Sequence, residues 1–202
     1  MDPIIERLSR LVTSTLGHFV DEGFLDVGVR PVFHPVRCAG PAVTVDSRDN
    51  AINRRGIREA RPGDVLVIAR GGDVRHASFG GMLALAARQK GIAGVVIDGP
   101  VCDLPELLEF RLPVFARGIS ALTSRPASPP GTVGEPVTCG GVRVAPGDYV
   151  LADDDGVLII PPSRVEAIIE RGEAASRRER ETRASLEAGK TLEEIAAQRE
   201  GR

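Results

Sequence analysis

The sequence predicts an α/β domain organised on a parallel sheet. Two patterns carry that expectation. The first runs from Arg61 to Ala116 and reads turn, strand, helix, strand, turn, helix, strand. Short apolar runs alternate there with helix-length segments, the pattern of right-handed β-α-β units. The second is a change of period after Glu135. Alternation replaces helical spacing, and Gly140-Gly141, Pro146-Gly147-Asp148 and Asp153-Asp154-Asp155-Gly156 mark tight turns. That segment predicts an antiparallel unit beside the parallel one. A chain of 202 residues, 42% of them hydrophobic, suits one domain. Its core is expected over roughly 36–162, with helical arms over 1–22 and 163–202.

The elements follow in order. Residues 3–13 (PIIERLSRLVT) space their apolar side chains at helical intervals and predict a short amphipathic helix. Thr13-Ser14-Thr15 is placed to cap a second helix over 16–22. Residues 23–41, rich in Gly and Pro, read as loop with short extended pieces, and 41–46 (PAVTVD) as a strand. An Asp cap predicts a helix over 49–60. Arg61-Pro62-Gly63-Asp64 is a turn before a strand at 65–69. After a loop at 70–76 a helix is expected over 78–90, closed by Gly91 in the C′ position. Then come a strand at 94–97, a turn at 98–103, a helix at 104–110 and a strand at 113–116. Residues 120–134 form a long loop rich in Pro and Ser. From Arg164 the tail is helical and charged, with Gly172 and Gly189 as interruptions.

Composition narrows the function classes. Net charge is −2 with both signs interspersed, so neither a nucleic-acid footprint nor a polybasic membrane patch is expected. Tryptophan is absent and aromatics make up 3%, which argues against base-stacking platforms. The apolar runs are too short to span a bilayer, and the N-terminus does not read as a secretory signal. Cys38, Cys102 and Cys139 are odd in number and lack metal-ligand spacing, which suits a reducing cytoplasm.

The chemistry concentrates at the turn Asp98-Gly99-Pro100-Val101-Cys102-Asp103. It lies at the carboxyl end of a predicted parallel strand, the end where ligands bind in open sheets. Asp103-Leu104-Pro105-Glu106 has two readings. Its carboxylates suit a hard cation such as Mg²⁺ or Mn²⁺, or they form a capping box that starts the next helix. Gly80 and Gly81, with Met82 and Leu83, open a helix after a strand. Such amides hold a small carboxylate, and glycines also let a helix pack closely on a sheet. Asp153-Asp154-Asp155-Gly156 reads first as hairpin chemistry and second as a metal-ligand run. Cys102 reads as a plain small residue or as a nucleophile at a helix start. Arg70, Arg75, His76 and Arg117 flank the same edge and could bind an acidic substrate, although ordinary surface arginine is the default expectation there.

GDVLVIARGG, FGGMLALAARQKGIAGVVIDGPVCD, LPVFARG and CGGVRVAPGDYVLADDDGVLIIP, in this order, resemble the RraA-like family over roughly residues 8–175. That family includes the 4-hydroxy-4-methyl-2-oxoglutarate/4-carboxy-4-hydroxy-2-oxoadipate aldolases and the regulator of ribonuclease E activity. The resemblance implies a swivelling β/β/α domain of phosphohistidine-domain type. It also implies a homotrimer, or a hexamer, with sites between subunits. A divalent metal, Mg²⁺ or Mn²⁺, is implied on Asp103, with Glu106 as a further candidate ligand. The amides of Gly80, Gly81, Met82 and Leu83 are implied to hold the carboxylate of a 2-oxo acid. Cleavage of the adjacent C–C bond, or decarboxylation, then leaves a stabilised enolate.

This chain departs from the family at three positions. The arginine expected before the metal aspartate is Cys102, an acidic residue common in the helix-start loop is Gly81, and a frequent histidine is Asn53. Losing that arginine removes a charge worth ~3 kcal/mol by analogy with a lost oxyanion donor. The resulting expectation is a metal-dependent lyase with an altered substrate. Asp103, Cys102 and Arg117 are its candidate catalytic residues, and Cys102 also lines the substrate position. The alternative is a non-catalytic protein-binding regulator.

Overall fold

A computed structural model describes residues 2–126 and 131–200. Its strands are β1 (Arg30–Pro31), β2 (Arg37–Ser47), β3 (Val65–Ala69), β4 (Gly94–Ile97), β5 (Pro100–Val101), β6 (Val114–Ala116), β7 (Gly118–Ile119), β8 (Gly131–Val133), β9 (Val137–Cys139), β10 (Val142–Val144), β11 (Tyr149–Asp153) and β12 (Gly156–Ile160). Its helices are α1 (Pro3–Leu8), α2 (Thr13–Leu16), α3 (Asn50–Glu59), α4 (Gly81–Lys90), α5 (Leu104–Phe110), α6 (Pro162–Glu187) and α7 (Leu192–Glu200).

The parallel core is as the sequence predicts, except that the helix expected from Ser78 begins at Gly81, because Gly80 is extended at φ −149°. β2, β3, β4 and β6 lie side by side and parallel, joined through α3, α4 and α5. Alternation along each strand sorts the side chains into two layers. Leu66, Ile68, Val95, Ile97 and Val114 face the helices, packing on Ile52, Ile57, Ala84, Ala87 and Leu107. Val65, Val67, Val96 and Phe115 face the other way, toward Cys139, Val144, Val150 and Val157. Polar signals end the helices where local chemistry predicts. Asp49 caps α3 by accepting from the Ala51 N–H at 2.7 Å, and Gly91, at φ 80°, closes α4.

β2 changes partner along its length. Its first residues, Arg37 to Pro41, pair antiparallel with β11, and Ala42 to Asp46 pair parallel with β3. The β11–β12 hairpin buries both faces. Val150, Ala152, Val157 and Ile159 join the inner layer, while Leu151, Leu158 and Ile160 pack on Leu8, Leu11, Leu16, Val165, Ile168 and Ile169 of the helical arms. Among the described residues, no helix is long and apolar enough to cross a membrane.

Four other local expectations are corrected. The strand expected from Pro41 begins at Arg37, because β11 supplies a partner that local sequence does not reveal. The first helix ends at Leu8, and the second occupies Thr13–Leu16 rather than 16–22. Thr13 does not cap it from outside. Asp153, far along the chain, accepts from the Thr13 N–H at 2.8 Å and from its hydroxyl, so the threonines lie inside the helix. The loop expected over 120–134 contains β8, which pairs with β2; residues 127–130 of it lie outside the described residues. Gly172 does not interrupt the tail helix. It lies within α6, where a Cβ would meet Leu16 at 2.7 Å and Leu11 at 2.8 Å, so it is the notch into which the N-terminal arm packs.

Candidate active site

The turn after β4 is set by side chains that grip the backbone. Asp98 pairs with the Arg117 Nε and accepts from the Gly140 N–H at 2.9 Å. Gly99 is small because Arg70 lies against it, 2.7 Å from the position of a Cβ. β5 then pairs with β7, and the Cys102 N–H donates to the Phe79 carbonyl at 3.0 Å. This last bond brings the turn onto the start of α4.

Asp103 is the most constrained residue of the site. Its φ of 58° lies in the left-handed region, which costs a non-glycine residue roughly 1 kcal/mol or more, and which Asp tolerates better than most. That conformation turns its carboxylate away from α5. No side-chain cap bond forms, so the capping-box reading is corrected. Instead Oδ2 accepts the Gly81 N–H at 3.0 Å.

Gly80 and Gly81 are required by space rather than by backbone conformation. Gly80 is extended at φ −149°, open to any residue. A Cβ there would lie 2.3 Å from Asp103 Oδ2 and 2.6 Å from Cys102 Sγ. A Cβ on Gly81 would lie 1.4 Å from Glu106 Oε2. Three functional side chains from the turn and from α5 thus converge on two glycines at the start of α4. Asp103 takes the Gly81 N–H, while Met82 and Leu83 belong to the first turn, whose amides have no intrahelical acceptor. Free amides at a helix start, with the helix dipole, are the kind of group that attracts an anion, and the Met82 side chain beside them is exposed.

Burial, with the nearby Asp103 and Glu106 carboxylates adding to it, pushes the Cys102 thiol up to about 11. It is therefore a neutral thiol at physiological pH, not an activated nucleophile. Arg117 is held between Asp98 and Asp26, and chiefly its bond to Asp98 raises its pKa further. Arg70 is buried at the end of β3, where it donates to the Ser47 carbonyl at 2.5 Å and to Asp73 at 3.1 Å.

Asp103 and Glu106 are the two residues here that could hold a metal. Both are carboxylates, and the Glu106 side chain makes no hydrogen bond or ion pair to any described residue. Oxygen donors of this number suit Mg²⁺ or Mn²⁺, which keep several waters. Among the described residues no group of three or more His, Cys, Asp or Glu could hold a metal ion, so a closed protein cage of the zinc kind is not built here. The Asp153–Gly156 run closes the β11–β12 hairpin. Asp153 holds Thr13, and Asp154 holds the His34 ring at 2.8 Å and the Val36 N–H at 3.0 Å. The hairpin reading accounts for these acids.

Sequence reasoning marked one contributor only as a departure from the family, without its structural role, and missed a second. Asn53, fully buried in α3, donates to the Ser78 carbonyl at 2.7 Å and steadies the approach to Gly80. Its Oδ1 and the Ser78 hydroxyl are buried without partners. An asparagine among the apolar positions of a helix was the available signal. Ser120 is the other. Its N–H donates to Val101 at 2.9 Å and its hydroxyl to Arg75 at 2.7 Å, tying two edge loops together. Nothing local to its sequence marks it.

The sequence pattern of the RraA-like family (Aldolase/RraA) matches residues 12–159. A protein of Halalkalibacterium halodurans, whose provisional name is 4-hydroxy-4-methyl-2-oxoglutarate aldolase, is 35% identical over 71% of this chain and 69% of its own. An uncharacterized protein from Pseudomonas syringae superposes with a TM-score of 0.86 at 25% identity, covering 98% of this chain and 94% of the other. The RNA-processing inhibitor RraA from Thermus thermophilis superposes with a TM-score of 0.66 at 35% identity, over 74% of this chain and 91% of its own.

Proposed function

Because the chain belongs to the RraA-like family, we propose that it is a divalent-metal-dependent carbon–carbon lyase acting on a small oxo or hydroxy acid. One observation carries the reading: Asp103, Cys102 and Glu106 converge on the glycines that open α4. Asp103, with Glu106, would hold Mg²⁺ or Mn²⁺. The first-turn amides of α4 would bind the substrate carboxylate and fix its 2-oxo group beside those carboxylates. When bound, the metal supplies Lewis-acid polarisation of that oxo group. Cys102 lies against the same position as a neutral, weakly donating group. Aldol cleavage or decarboxylation both fit, since each leaves negative charge on the fragment so held. The finer parts of the proposal are the swivelling, phosphohistidine-type domain, a homotrimer or hexamer with sites between subunits, and a cytoplasmic setting.

The test uses Asp103→Asn rather than alanine, because Asn also tolerates the left-handed conformation and can keep the Gly81 bond. Mn²⁺ binding followed by calorimetry or electron paramagnetic resonance is expected to fall by at least tenfold, with pyruvate release from oxaloacetate or an aldol substrate falling alongside it. Absence of Mg²⁺ and Mn²⁺ binding in the unsubstituted protein would sink the reading. A second reading, a non-catalytic regulator that binds a partner protein, is supported by the likeness to the RNA-processing inhibitor. It requires a specific partner whose binding survives Asp103→Asn.

A further inference from the structure

We infer that Arg75 is the side chain that reads the second carboxylate of a diacid at this edge, a specificity-determining residue for the reaction proposed above. The inference rests on that reading of the site, and it concerns which cation replaces the charge that Cys102 lacks.

The carboxyl edge of the sheet carries several cations, and internal partners occupy most of them. Arg70 is buried, with a side chain 1% exposed, and is bound to Ser47 and Asp73. Arg117 is held by Asp98 and Asp26. The His76 ring lies on Asp73 at 3.0 Å, and Arg48 lies 3.8 Å from Asp46. Arg54 and Arg125 line a separate cavity with Asp49 at the start of α3. Arg75 differs. It is exposed, and its guanidinium has no hydrogen bond or ion pair to any described residue.

The backbone beneath that free side chain is pinned on both sides. Asp73 accepts the Arg75 N–H at 3.0 Å, and the Ser120 hydroxyl donates to the Arg75 carbonyl at 2.7 Å. Ser120 also bonds to Val101, the residue before Cys102, and the next N–H along the arginine's loop but one, that of Ala77, donates to Leu122 at 2.8 Å. Ser120 therefore bridges the Arg75 backbone to Val101, next to the Cys102 turn, and the exposed arginine side chain starts from that shared edge. A rigid base with a free, always-charged head is what bidentate recognition of a carboxylate needs.

Electrostatics give the second reason. Asp103 and Glu106 bring two acidic groups to the start of α4, and Cys102 brings no positive charge. A monoacid needs only the α4 amides and the cation held by Asp103. A diacid brings a further charge that those groups leave unmatched, and Arg75 is the uncommitted cation beside the turn.

Arg75→Ala is a clean variant, because both pins contact the arginine's backbone and survive the substitution. The Mn²⁺-loaded protein is titrated calorimetrically with 2-oxobutanoate, a monoacid, and with 2-oxoglutarate, a diacid. The unsubstituted protein is expected to bind the diacid at least tenfold more tightly. Arg75→Ala is expected to erase that preference while monoacid affinity stays within about twofold, and Arg75→Lys to restore part of it. Equal affinity for the two acids in the unsubstituted protein overturns the assignment and leaves the oxo-acid reading standing. So does a variant that weakens both acids alike. Failure of the unsubstituted protein to bind either acid overturns the assignment and the oxo-acid reading together.

Discussion

At Gly81 the missing side chain has a mechanical cause. Alanine is a better helix former than glycine by up to about 1 kcal/mol, so the position appears open to a stabilising substitution. The Glu106 carboxylate already fills that space, 1.4 Å from where a Cβ would sit. Gly81→Ala is therefore expected to turn the carboxylate out of the site and, because the added methyl would also lie 2.9 Å from the Glu106 Cβ, to lower the melting temperature by a few degrees. Mn²⁺ affinity, read by calorimetry, should fall roughly tenfold, in the range seen when groups around a metal are lost. Glu106→Gln should reproduce the loss, and adding Gly81→Ala to it should cost nothing more. Affinity equal to that of the unsubstituted protein in all three variants would remove Glu106 from the site. The residues involved are visible in the sequence, but their arrangement is not. D-x-x-E with Pro after the Asp satisfies every local rule for a capping box, and only the left-handed Asp103 backbone, set by the Cys102–Phe79 bond and the fold around it, sends the carboxylate to Gly81 instead.

One scale up, the loop between β3 and α4 carries Arg75 and is organised by Asp73. Burial works against the Asp73 charge, but hydrogen bonds from the Arg75 and His76 N–H groups and the His76 ring, with the charge of Arg70, outweigh it and hold the pKa at about 2. A depressed carboxylate stabilises the fold above its unfolded pKa, near 3.8, and that contribution disappears as pH falls toward 2. The side chain is 33% exposed, so solvent screening limits the effect to something on the order of 1 kcal/mol. Asp73→Asn is expected to lower stability by about that amount at pH 7 in urea unfolding, with the gap closing as pH drops from 4 to 2. A gap that persists at pH 2 would place the cause in packing rather than in charge. This loop was only partly legible. Arg70, Arg75, His76 and Arg117 stood out as cations at the ligand-binding edge, but which of them are occupied depends on Asp73 for Arg70 and His76 and on Asp98 and Asp26 for Arg117, and Asp26 is distant in sequence from Arg117.

The whole molecule is three packed layers, and they were unequally legible. The parallel core could be read because each strand and helix announces itself locally, by an apolar run or by a cap. The outer layer could not, because α2 begins where Asp153 holds it, and Gly172 is a notch for Leu11 and Leu16 rather than a break. The same layer makes a prediction about where the domain ends. The first half of α6 buries Val165, Ile168 and Ile169 against Leu8, Leu11, Leu16, Leu151, Leu158 and Ile160, and Glu173 ties it to Arg7 at 2.8 Å. Beyond Glu179, which accepts from Thr15 at 2.9 Å, the helix is mostly exposed. A chain ending at Thr182 should keep cooperative unfolding and lose only a few degrees of melting temperature. A chain ending at Pro161 uncovers that whole apolar layer. At about 1.5–3 kcal/mol per large side chain returned to water, the loss is on the order of 10 kcal/mol, comparable with the entire stability of an ordinary domain. It should be unfolded or aggregated by circular dichroism and size-exclusion chromatography. A folded, soluble 1–161 fragment would mean that the family-matched region, residues 12–159, stands alone and that the helical arm serves something other than the core.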